Sequence, residues 1–369
     1  MSPPKTIASL SEILPQVPRN SRIFIGSGCA VPQELVRQLV ENAPYFADAE
    51  IFHLLTAGRS DYVDSKYRNN FRHNAFLIGS NVREAAMMGQ ADYTPIFLSE
   101  LPNLFERGQL PVDLALIQVS PPDAQGYCSL GVSVDVVKSA AAVAHLIVAQ
   151  TNPRMPRTLG DGFLHVSQIH YLLECAEPIL ELKPSEPDEI ALQIGAHIAR
   201  LISDGSTLQV GIGSIPEAVL RMLGDKNDLG IHTEMFSDGV VPLVKKGVIN
   251  GRRKTLHRNK IVTSFVMGSK LLYDFVHDNP GVEFHPSIYT NDPFIISRNQ
   301  QMVAINSALE VDLTGQVCAD SLGYRFFSGI GGQVDFIRGA ARRAPPAASR
   351  SSCCPRPQKT ARFHASWLN

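Results

Sequence analysis

Two stretches of this 369-residue chain carry the same order of features: RIFIGSGCAVPQELV at residues 22–36 and LQVGIGSIPEAVL at residues 208–220. Each begins with an apolar run typical of a buried strand, passes through two glycines and continues with the apolar spacing of a helix. A strand that leads through a glycine turn directly into a helix is typical of a parallel sheet covered by helices. The two stretches therefore predict an α/β fold, and their similarity predicts that the chain consists of two related halves.

Two further pairs of segments repeat in the same order. LALIQVSPPDAQGYCSLGVS from Leu114 has the pattern of VAINSALEVDLTGQVCADSLG from Val303, and VDVVKSAA from Val134 has that of VDFIRGAA from Val334. Three ordered pairs at long range are the pattern of an internal duplication rather than of isolated motifs. We therefore expect two related open α/β domains.

The duplication predicts the domain division and the main elements. The N-terminal domain is expected at residues 1–183 and the C-terminal domain at residues 184–340, joined by a linker that contains two prolines. Strands are expected at residues 22–25, 51–55, 113–119, 145–149, 207–212, 230–233, 260–266 and 302–306. Helices are expected at residues 33–43, 187–202, 216–223 and 270–277.

Residues 341–369 do not continue the repeat. They contain six Lys or Arg and no Asp or Glu, and removing these charges from the net charge of −1 leaves −7 for the first 340 residues. Where symmetry requires a strand, Pro345 and Pro346 cannot donate to a sheet. We expect an incomplete second domain followed by a disordered basic Pro/Arg/Ser tail. A natural tail and a departure from the reading frame both explain it, and the loss of a core strand favours the second.

Composition limits the possible functions. The chain has 34 Lys plus Arg against 35 Asp plus Glu, which argues against nucleic acid or an acidic membrane surface as a partner. The N-terminal sequence lacks the order of a signal peptide, and no apolar run reaches the length of a membrane span, so we expect a cytoplasmic protein. The cysteines that precede the tail are widely spaced, which predicts reduced thiols and no metal site.

Two glycine-rich turns can present backbone N–H groups to a ligand. The turn GIGSIP at residues 211–216 follows a predicted strand and opens a helix, where an anion or a carbonyl oxygen can bind. Pro216 stands where a dinucleotide-binding fingerprint has its third glycine, so NAD binding is poorly supported; a tight turn without function is the alternative. The segment SGIGGQVDF at residues 328–336 has three glycines in four positions, which allows close approach of a ligand.

A carboxylate follows a predicted strand of the second half. Glu234 lies in GIHTEMFSDG at residues 230–239. At the carboxyl end of a strand in an α/β sheet it can act as a nucleophile or a base. A carboxylate in a surface loop is the alternative.

Five motifs in order resemble one known family. GIHTEMFSDG, GIGSIPEAV, TNPRMPRT from Thr151, NSALEVDLTGQ from Asn306 and SGIGGQVDF are together similar to the acetyl-CoA hydrolase/transferase family, especially its 4-hydroxybutyrate CoA-transferase branch. The resemblance covers about the first 340 residues. It implies two CoA-transferase domains, a homodimer, and Glu234 as the catalytic residue that carries CoA as a glutamyl thioester. A glutamate of ordinary pKa is already ionised at neutral pH, so its activation is expected to come from positioning and desolvation, and no separate base is expected.

The resemblance also implies roles for other residues. Backbone N–H groups of Ile212 and Gly213, and of Gly331 and Gly332, are expected to form an oxyanion hole and bind CoA. Arg157 and Asn291 are expected to contact the acyl group or the acceptor carboxylate. Arginine suits a carboxylate because its planar fork binds both oxygens, whereas a salt bridge between the domains explains Arg157 equally well.

The expected reaction moves CoA between a short-chain acyl-CoA and a carboxylate such as acetate or 4-hydroxybutyrate. CoA is then a substrate, and no permanently bound cofactor and no metal are expected. An acyl-CoA hydrolase is the close alternative. An inactive relic or a binding module is the more distant one, because the second domain is expected to be incomplete.

Overall fold

The computed structural model of this protein describes residues 3–183 and 185–342. Pro184, in the predicted linker, and residues 343–369 of the predicted tail lie outside the described residues. The disorder of the tail and the division at residue 183 therefore stay predictions.

The first half is built around one large parallel sheet. Its strands are β1 (Lys5–Thr6), β2 (Arg22–Ile25), β3 (Ala49–His53), β4 (Phe71–Ala75), β5 (Ala91–Tyr93), β6 (Leu114–Val119), β7 (Tyr127–Ser129), β8 (Leu146–Thr151), β9 (Phe163–His165) and β10 (Tyr171–Glu174). Its helices are α1 (Gln33–Glu41), α2 (Arg83–Met87), α3 (Leu101–Glu106) and α4 (Val137–Val143), with 3-10 turns at Leu10–Glu12, Leu14–Gln16, Ala43–Tyr45, Asp61–Val63, Ser65–Tyr67 and Val166–Gln168.

Eight of these strands form the sheet, in the order β1-β10-β8-β6-β2-β3-β4-β5, and all of its neighbours are parallel. The central strand β6 is buried along its whole length. Its alternate side chains enter two apolar clusters, Ala115 and Ile117 on one face and Leu114 and Leu116 on the other. Because both faces are covered, the strand is a continuous apolar run rather than an alternating one.

The second half repeats this plan with interrupted strands. Its strands are β11 (Thr207–Val210), β12 (Gly230–Ile231), β13 (Met235–Phe236), β14 (Ile261–Thr263), β15 (Phe265–Val266), β16 (Val282–Phe284), β17 (Met302–Ile305), β18 (Glu310–Val311), β19 (Val317–Cys318), β20 (Ser321–Leu322) and β21 (Arg325–Phe326). Its helices are α5 (Glu189–Ala199), α6 (Ser214–Arg221), α7 (Val240–Lys245), α8 (Lys270–Val276), α9 (Ser287–Thr290), α10 (Pro293–Ser297) and α11 (Gln333–Ala341).

Parallel pairing places five of these strands side by side, whereas β18 with β19 and β20 with β21 form separate antiparallel pairs. β17, β11 and β12 are neighbours, a bridge between His232 and Val262 continues the sheet to β14, and β16 lies beyond β14. β13 and β15 extend the two interrupted strands. The resulting order, β17-β11-β12-β14-β16, corresponds strand by strand to β6-β2-β3-β4-β5 of the first half, which confirms that the halves are related.

The predicted elements are present, with ends that move by at most three residues. The strand predicted at 230–233 ends at Ile231 and resumes as β13 beyond the predicted range, and the strand predicted at 260–266 is interrupted at Ser264, so that each takes part in two short ladders. In the first half, β8 follows α4 and pairs with β6. The described residues of the second half contain no counterpart of β8, because the corresponding place follows α11, beyond residue 342.

The two halves share a core. One apolar cluster contains side chains of both, among them Phe24 and Val134 of the first and Phe236 and Phe284 of the second. Backbone hydrogen bonds also cross between them: Val266 N donates to Val132 O at 2.9 Å. None of the helices in residues 3–183 and 185–342 has the length and apolar character to span a membrane.

Candidate active site

Glu234 lies in the interruption between β12 and β13. Its backbone carbonyl accepts from Ser264 N at 2.9 Å and Phe265 N at 3.2 Å, which ties this residue to the neighbouring strand. Thr233, the residue before it, donates its hydroxyl to Val210 O at 3.2 Å on the other side. The backbone of Glu234 is therefore fixed between β11 and β14, at the carboxyl edge of the sheet where α/β proteins bind ligands.

Asn291 and Gly332 enclose the carboxylate of Glu234. Asn291, which is fully buried at the end of α9, donates from Nδ2 to Oε2 of Glu234 at 2.9 Å. A Cβ at residue 332 would overlap with Oε2 of Glu234 and with Nδ2 of Asn291, so that any side chain there would displace these groups. Gly331 has φ +56°, a left-handed conformation that glycine adopts without strain. The structure thus brings together three of the predicted elements: the carboxylate, the second glycine cluster and Asn291.

Burial raises the pKa of Glu234 to about 7; the hydrogen bond from Asn291 and the amide of Gly332 act in the opposite direction. The charges of Asp335 and Asp135 raise it further. Both aspartates are buried, and burial also raises the pKa of each to about 6. The expectation of an ordinary pKa is therefore wrong for this environment, whereas the carboxylate is desolvated, as expected, before any substrate arrives.

The first half positions the second glycine cluster. Tyr93, at the end of β5, accepts a hydrogen bond from Ile330 N at 3.2 Å. Leu98 N donates to Gly331 O at 3.3 Å. Asp335, at the start of α11, accepts from the amide and the hydroxyl of Ser99 at 3.0 and 2.8 Å. The backbone beside Glu234 therefore belongs to one half and is held by the other.

The first glycine turn lies at the same edge of the sheet. It follows Val210, whose amide donates to Thr233 Oγ1 at 3.3 Å. Ile212 is 44% exposed, and Gly213 has φ +117°. Within the described part of the chain, the amides of Ile212 and Gly213 have no protein acceptor. They remain open to a ligand, and their predicted role as oxyanion or CoA contacts stays a prediction.

Arg157 joins the two halves. Its guanidinium contacts Asp278 Oδ1 at 2.8 Å and Asp123 Oδ2 at 3.2 Å, and its amide donates to His277 Nδ1 at 3.0 Å. These contacts form the salt bridge between domains that the sequence left as an alternative. Binding of a substrate carboxylate by Arg157 stays a prediction, and it requires one of these pairs to open.

Family models for the two parts of one family match this chain. The acetyl-CoA hydrolase/transferase N-terminal domain matches residues 3–182, and the acetyl-CoA hydrolase/transferase C-terminal domain matches residues 268–352. The chain belongs to the acetyl-CoA hydrolase/transferase family. The resemblance of the five motifs is thereby confirmed.

The more similar relatives of this chain are CoA-transferases. The chain is 50% identical over 334 residues to the 4-hydroxybutyrate coenzyme A transferase of Clostridium kluyveri, which covers 90% of this chain and 78% of the relative. It is 44% identical to the succinyl-CoA:acetate/propanoyl-CoA:succinate CoA transferase of Fasciola hepatica, covering 92% and 71%. The crystal structure of 4-hydroxybutyrate CoA-transferase from Porphyromonas gingivalis has a TM-score of 0.79 at 38% identity, covering 92% and 78%.

Hydrolases of the family are more distant. Acetyl-CoA hydrolases from Neurospora crassa and Candida albicans are 29% and 30% identical, over 180 and 347 residues. The expectation of an enzyme of the CoA-transferase class is therefore confirmed, and the hydrolase alternative is disfavoured.

Several residues of the site were missed by sequence reasoning. Asp135 and Asp335 stand in the repeated VDVV and VDFI segments, where their equivalent positions were visible but no chemistry marked them. Tyr93 and Ser99 belong to the other half and lie more than 200 residues from the backbone that they hold. Only the fold brings them to the site.

Proposed function

We propose that this family member transfers CoA from a short-chain acyl-CoA to a free carboxylate through covalent catalysis by Glu234. The observation that carries the proposal is the enclosure of the Glu234 carboxylate by Asn291 and Gly332. The names of the relatives support acetate and 4-hydroxybutyrate as the acceptors to test first.

The reaction runs through two covalent states. An oxygen of Glu234 attacks the thioester carbonyl, the carbon–sulfur bond breaks, and CoA leaves as a thiolate from a mixed anhydride. The thiolate then attacks the glutamyl carbonyl, which releases the original acyl group as a carboxylate and leaves Glu234 as a CoA thioester. An acceptor carboxylate repeats these two attacks in reverse order, so that a new acyl-CoA leaves and Glu234 returns to its free form.

The geometry supports the nucleophile and its oxyanion donors. Burial raises the pKa of Glu234 to about 7, so its anion is poorly solvated and more basic than a glutamate in water. Each attack produces an oxyanion, and a positioned backbone donor is typically worth about 3 kcal/mol to the transition state. We assign this role to the amides of Gly331 and Gly332, and that of CoA-facing donors to the open amides of Ile212 and Gly213.

Covalent capture tests the proposal. The protein is incubated with butyryl-CoA, reduced with borohydride and digested, and its peptides are mapped by mass spectrometry. We expect conversion of Glu234 to the alcohol, and no conversion in the E234Q variant. An unmodified Glu234 in enzyme that transfers CoA would overturn the covalent route.

A second assay separates transfer from hydrolysis. Loss of the butyryl-CoA thioester is followed with and without acetate or 4-hydroxybutyrate. We expect loss that requires the acceptor and appearance of the new acyl-CoA. Equal loss without an acceptor would instead favour the hydrolase.

We also propose a cytoplasmic homodimer. The free thiols of Cys29 and Cys128, both buried, support a reducing compartment, and the family resemblance supports the dimer. Light scattering coupled to size-exclusion chromatography measures the oligomeric state, and cell fractionation measures the location.

A further inference from the structure

Three potential metal ligands converge outside the Glu234 site. They are His257, Glu283 and His285, and their ligand atoms all lie within 4.8 Å of one another. In the described part of the chain, no other group of three or more His, Cys, Asp or Glu side chains does so. Nδ1 of His257 lies 2.6 Å from Oε2 of Glu283, and Nε2 of His285 lies 3.4 Å from the same oxygen. Two imidazoles are therefore directed at one carboxylate oxygen.

Two of the three ligands are fixed by a strand. Glu283 lies within β16 and His285 directly after it, so their spacing of two residues puts both side chains on one face. The amide of His285 donates to Thr263 O at 2.8 Å, which continues the pairing with β14. His257 comes from the preceding loop, where it has φ +48° and its carbonyl accepts from Lys260 N at 3.0 Å.

Tyr289 contacts Nε2 of His257, the ring nitrogen that points away from Glu283. Its hydroxyl lies 2.5 Å from Nε2 of His257, which directs Nδ1 of that ring toward Glu283. Histidines that bind metals are usually oriented in this way, by a hydrogen bond from the nitrogen that does not bind the ion. Because Tyr289 belongs to α9, the cluster also connects the loop and β16 to the helix that ends at Asn291.

The neighbouring lysine leaves Oε2 of Glu283 available to bind an ion. Lys260 Nζ lies 3.9 Å from Oε1 of Glu283, and it is also held by a hydrogen bond to Pro280 O. The lysine therefore faces the oxygen that the histidines do not use. The side chains of His257, Glu283 and His285 are 23%, 24% and 16% exposed, so that an ion can enter from solvent.

We propose that His257, Glu283 and His285 form a zinc-binding site. Two imidazoles and one carboxylate are a ligand set that suits Zn²⁺, whereas Mg²⁺ and Ca²⁺ prefer oxygen ligands alone. Tetrahedral coordination at about 2.1 Å separates the ligand atoms by roughly 3.4 Å, which the side chains reach by small rotations. The ion takes the lone pair of Nδ1 of His257, whose ring then carries its proton on Nε2 beside the hydroxyl of Tyr289, and a fourth position is left for water. The ion then holds the loop, β16 and α9 together.

Zinc binding is measured on the full chain, without a histidine tag and after removal of metals by a chelator. Titration with Zn²⁺ is expected to give one ion per chain. The variants H257N, E283Q and H285N are expected to weaken binding by more than about 100-fold, and Y289F, which keeps all three ligands, by about tenfold. The matched control is H145N, because His145 is an exposed histidine on the other half, and it is expected to bind like the wild type.

A spectroscopic readout makes the test independent of the variants. Co²⁺ added to the metal-free wild-type chain is expected to show the visible absorption of a four-coordinate site, and Zn²⁺ is expected to remove it. Absence of this absorption together with absence of Zn²⁺ binding would overturn the proposal, as would unchanged binding in H285N and E283Q. The readout does not depend on CoA transfer, so its failure is distinct from a failure of the proposed function.

Discussion

The two halves of this protein share a strand order, but at one pair of equivalent positions one half has an apolar side chain and the other has the proposed catalytic carboxylate. Ile23 pairs with Ile51 in the first half and Leu208 pairs with Ile231 in the second, so three residues further along Leu54 corresponds to Glu234. Leu54 is 3% exposed and packs in the shared apolar cluster. Glu234 carries a carboxylate at the same place, enclosed by Asn291 and Gly332. One copy of the fold thus supplies packing where the other supplies the nucleophile.

The glycine loops of the two halves also differ in role, one packing into the core and the other lying at the Glu234 site. In the first half, a Cβ at Gly131 would overlap with the side chain of Met155, and Gly131 O accepts from Thr158 Oγ1 at 2.7 Å. This loop is packed into the core. In the second half, the matching residue Gly331 has the same left-handed backbone, with φ +56°, and the next residue, Gly332, faces the Glu234 carboxylate where the first half has the buried Val132. A duplicated turn has become a packing element in one copy and a binding element in the other.

The aspartates show what the halves have kept in common. Asp335 of the second half bonds to Ser99 of the first, and the backbone of Asp135 in the first half bonds to Ser264 and Ser287 in the second. Each copy therefore uses its aspartate segment to contact the other. This reciprocal contact places two buried acids where both influence Glu234.

The largest expected effect comes from making the second half resemble the first. We expect E234L to lower kcat by about 10⁴-fold or more, because it removes the nucleophile and leaves an apolar side chain like that of Leu54. Steady-state assays measure the activity, and circular dichroism with thermal unfolding checks the fold. A folded E234L protein within tenfold of the wild-type rate would show that Glu234 is not the nucleophile.

Two glycine substitutions, one in each of the corresponding loops, separate binding from packing. We expect G332A to lower kcat by about 10²- to 10³-fold, because its Cβ would displace Glu234 or Asn291 from the positioned donors. G131A is expected to lower the free energy of unfolding by about 1 kcal/mol or more, because φ is +66° there, while the activity of the folded protein is retained. The comparison fails if both variants lose activity to the same degree.

Removal of the Asn291 amide is expected to have a smaller effect. In N291A, Glu234 keeps the amide of Gly332 but loses its side-chain donor, so kcat falls by about 10²-fold and the pKa of Glu234 rises. The acid limb of kcat/KM therefore moves to higher pH. A pH profile measures both changes, and a lower kcat with an unmoved limb would mean that the amide acts on the substrate instead.

The smallest expected effect concerns the charge of Asp335. In the wild type, kcat/KM is expected to fall below about pH 7 as Glu234 becomes protonated, because this parameter reports the free enzyme. D335N removes a charge that raises the pKa of Glu234, so the limb is expected to move to lower pH. D135N is the matched variant in the other half and is expected to move it in the same direction. A shift to higher pH in either variant would contradict the electrostatic account.

The sequence predicts which residues form the site better than it predicts how their surroundings change their properties. Glu234 and Gly332 lie in motifs, Asn291 follows from the family resemblance, and the duplication is visible because strand, glycine turn and helix recur in order. The raised pKa of Glu234 depends on burial by both halves, which no local pattern reports. The acids that hold Arg157 are likewise distant in the chain, at Asp123 and Asp278.

The same limit applies outside the site. Glu283 and His285 are close in sequence, but nothing local indicates that His257 joins them. The spacing of cysteines, on which the expectation of no metal site was based, carries no information about imidazole and carboxylate ligands.

The continuous apolar cluster that contains side chains of both halves has a thermodynamic consequence. If one half unfolds, the other loses part of its core and its reciprocal backbone bonds at the same moment, so neither half has a separate melting temperature. We therefore expect calorimetry to show one cooperative transition for residues 3–342 rather than two. The chain is duplicated in sequence and fold, but the free energy of unfolding depends on both halves together.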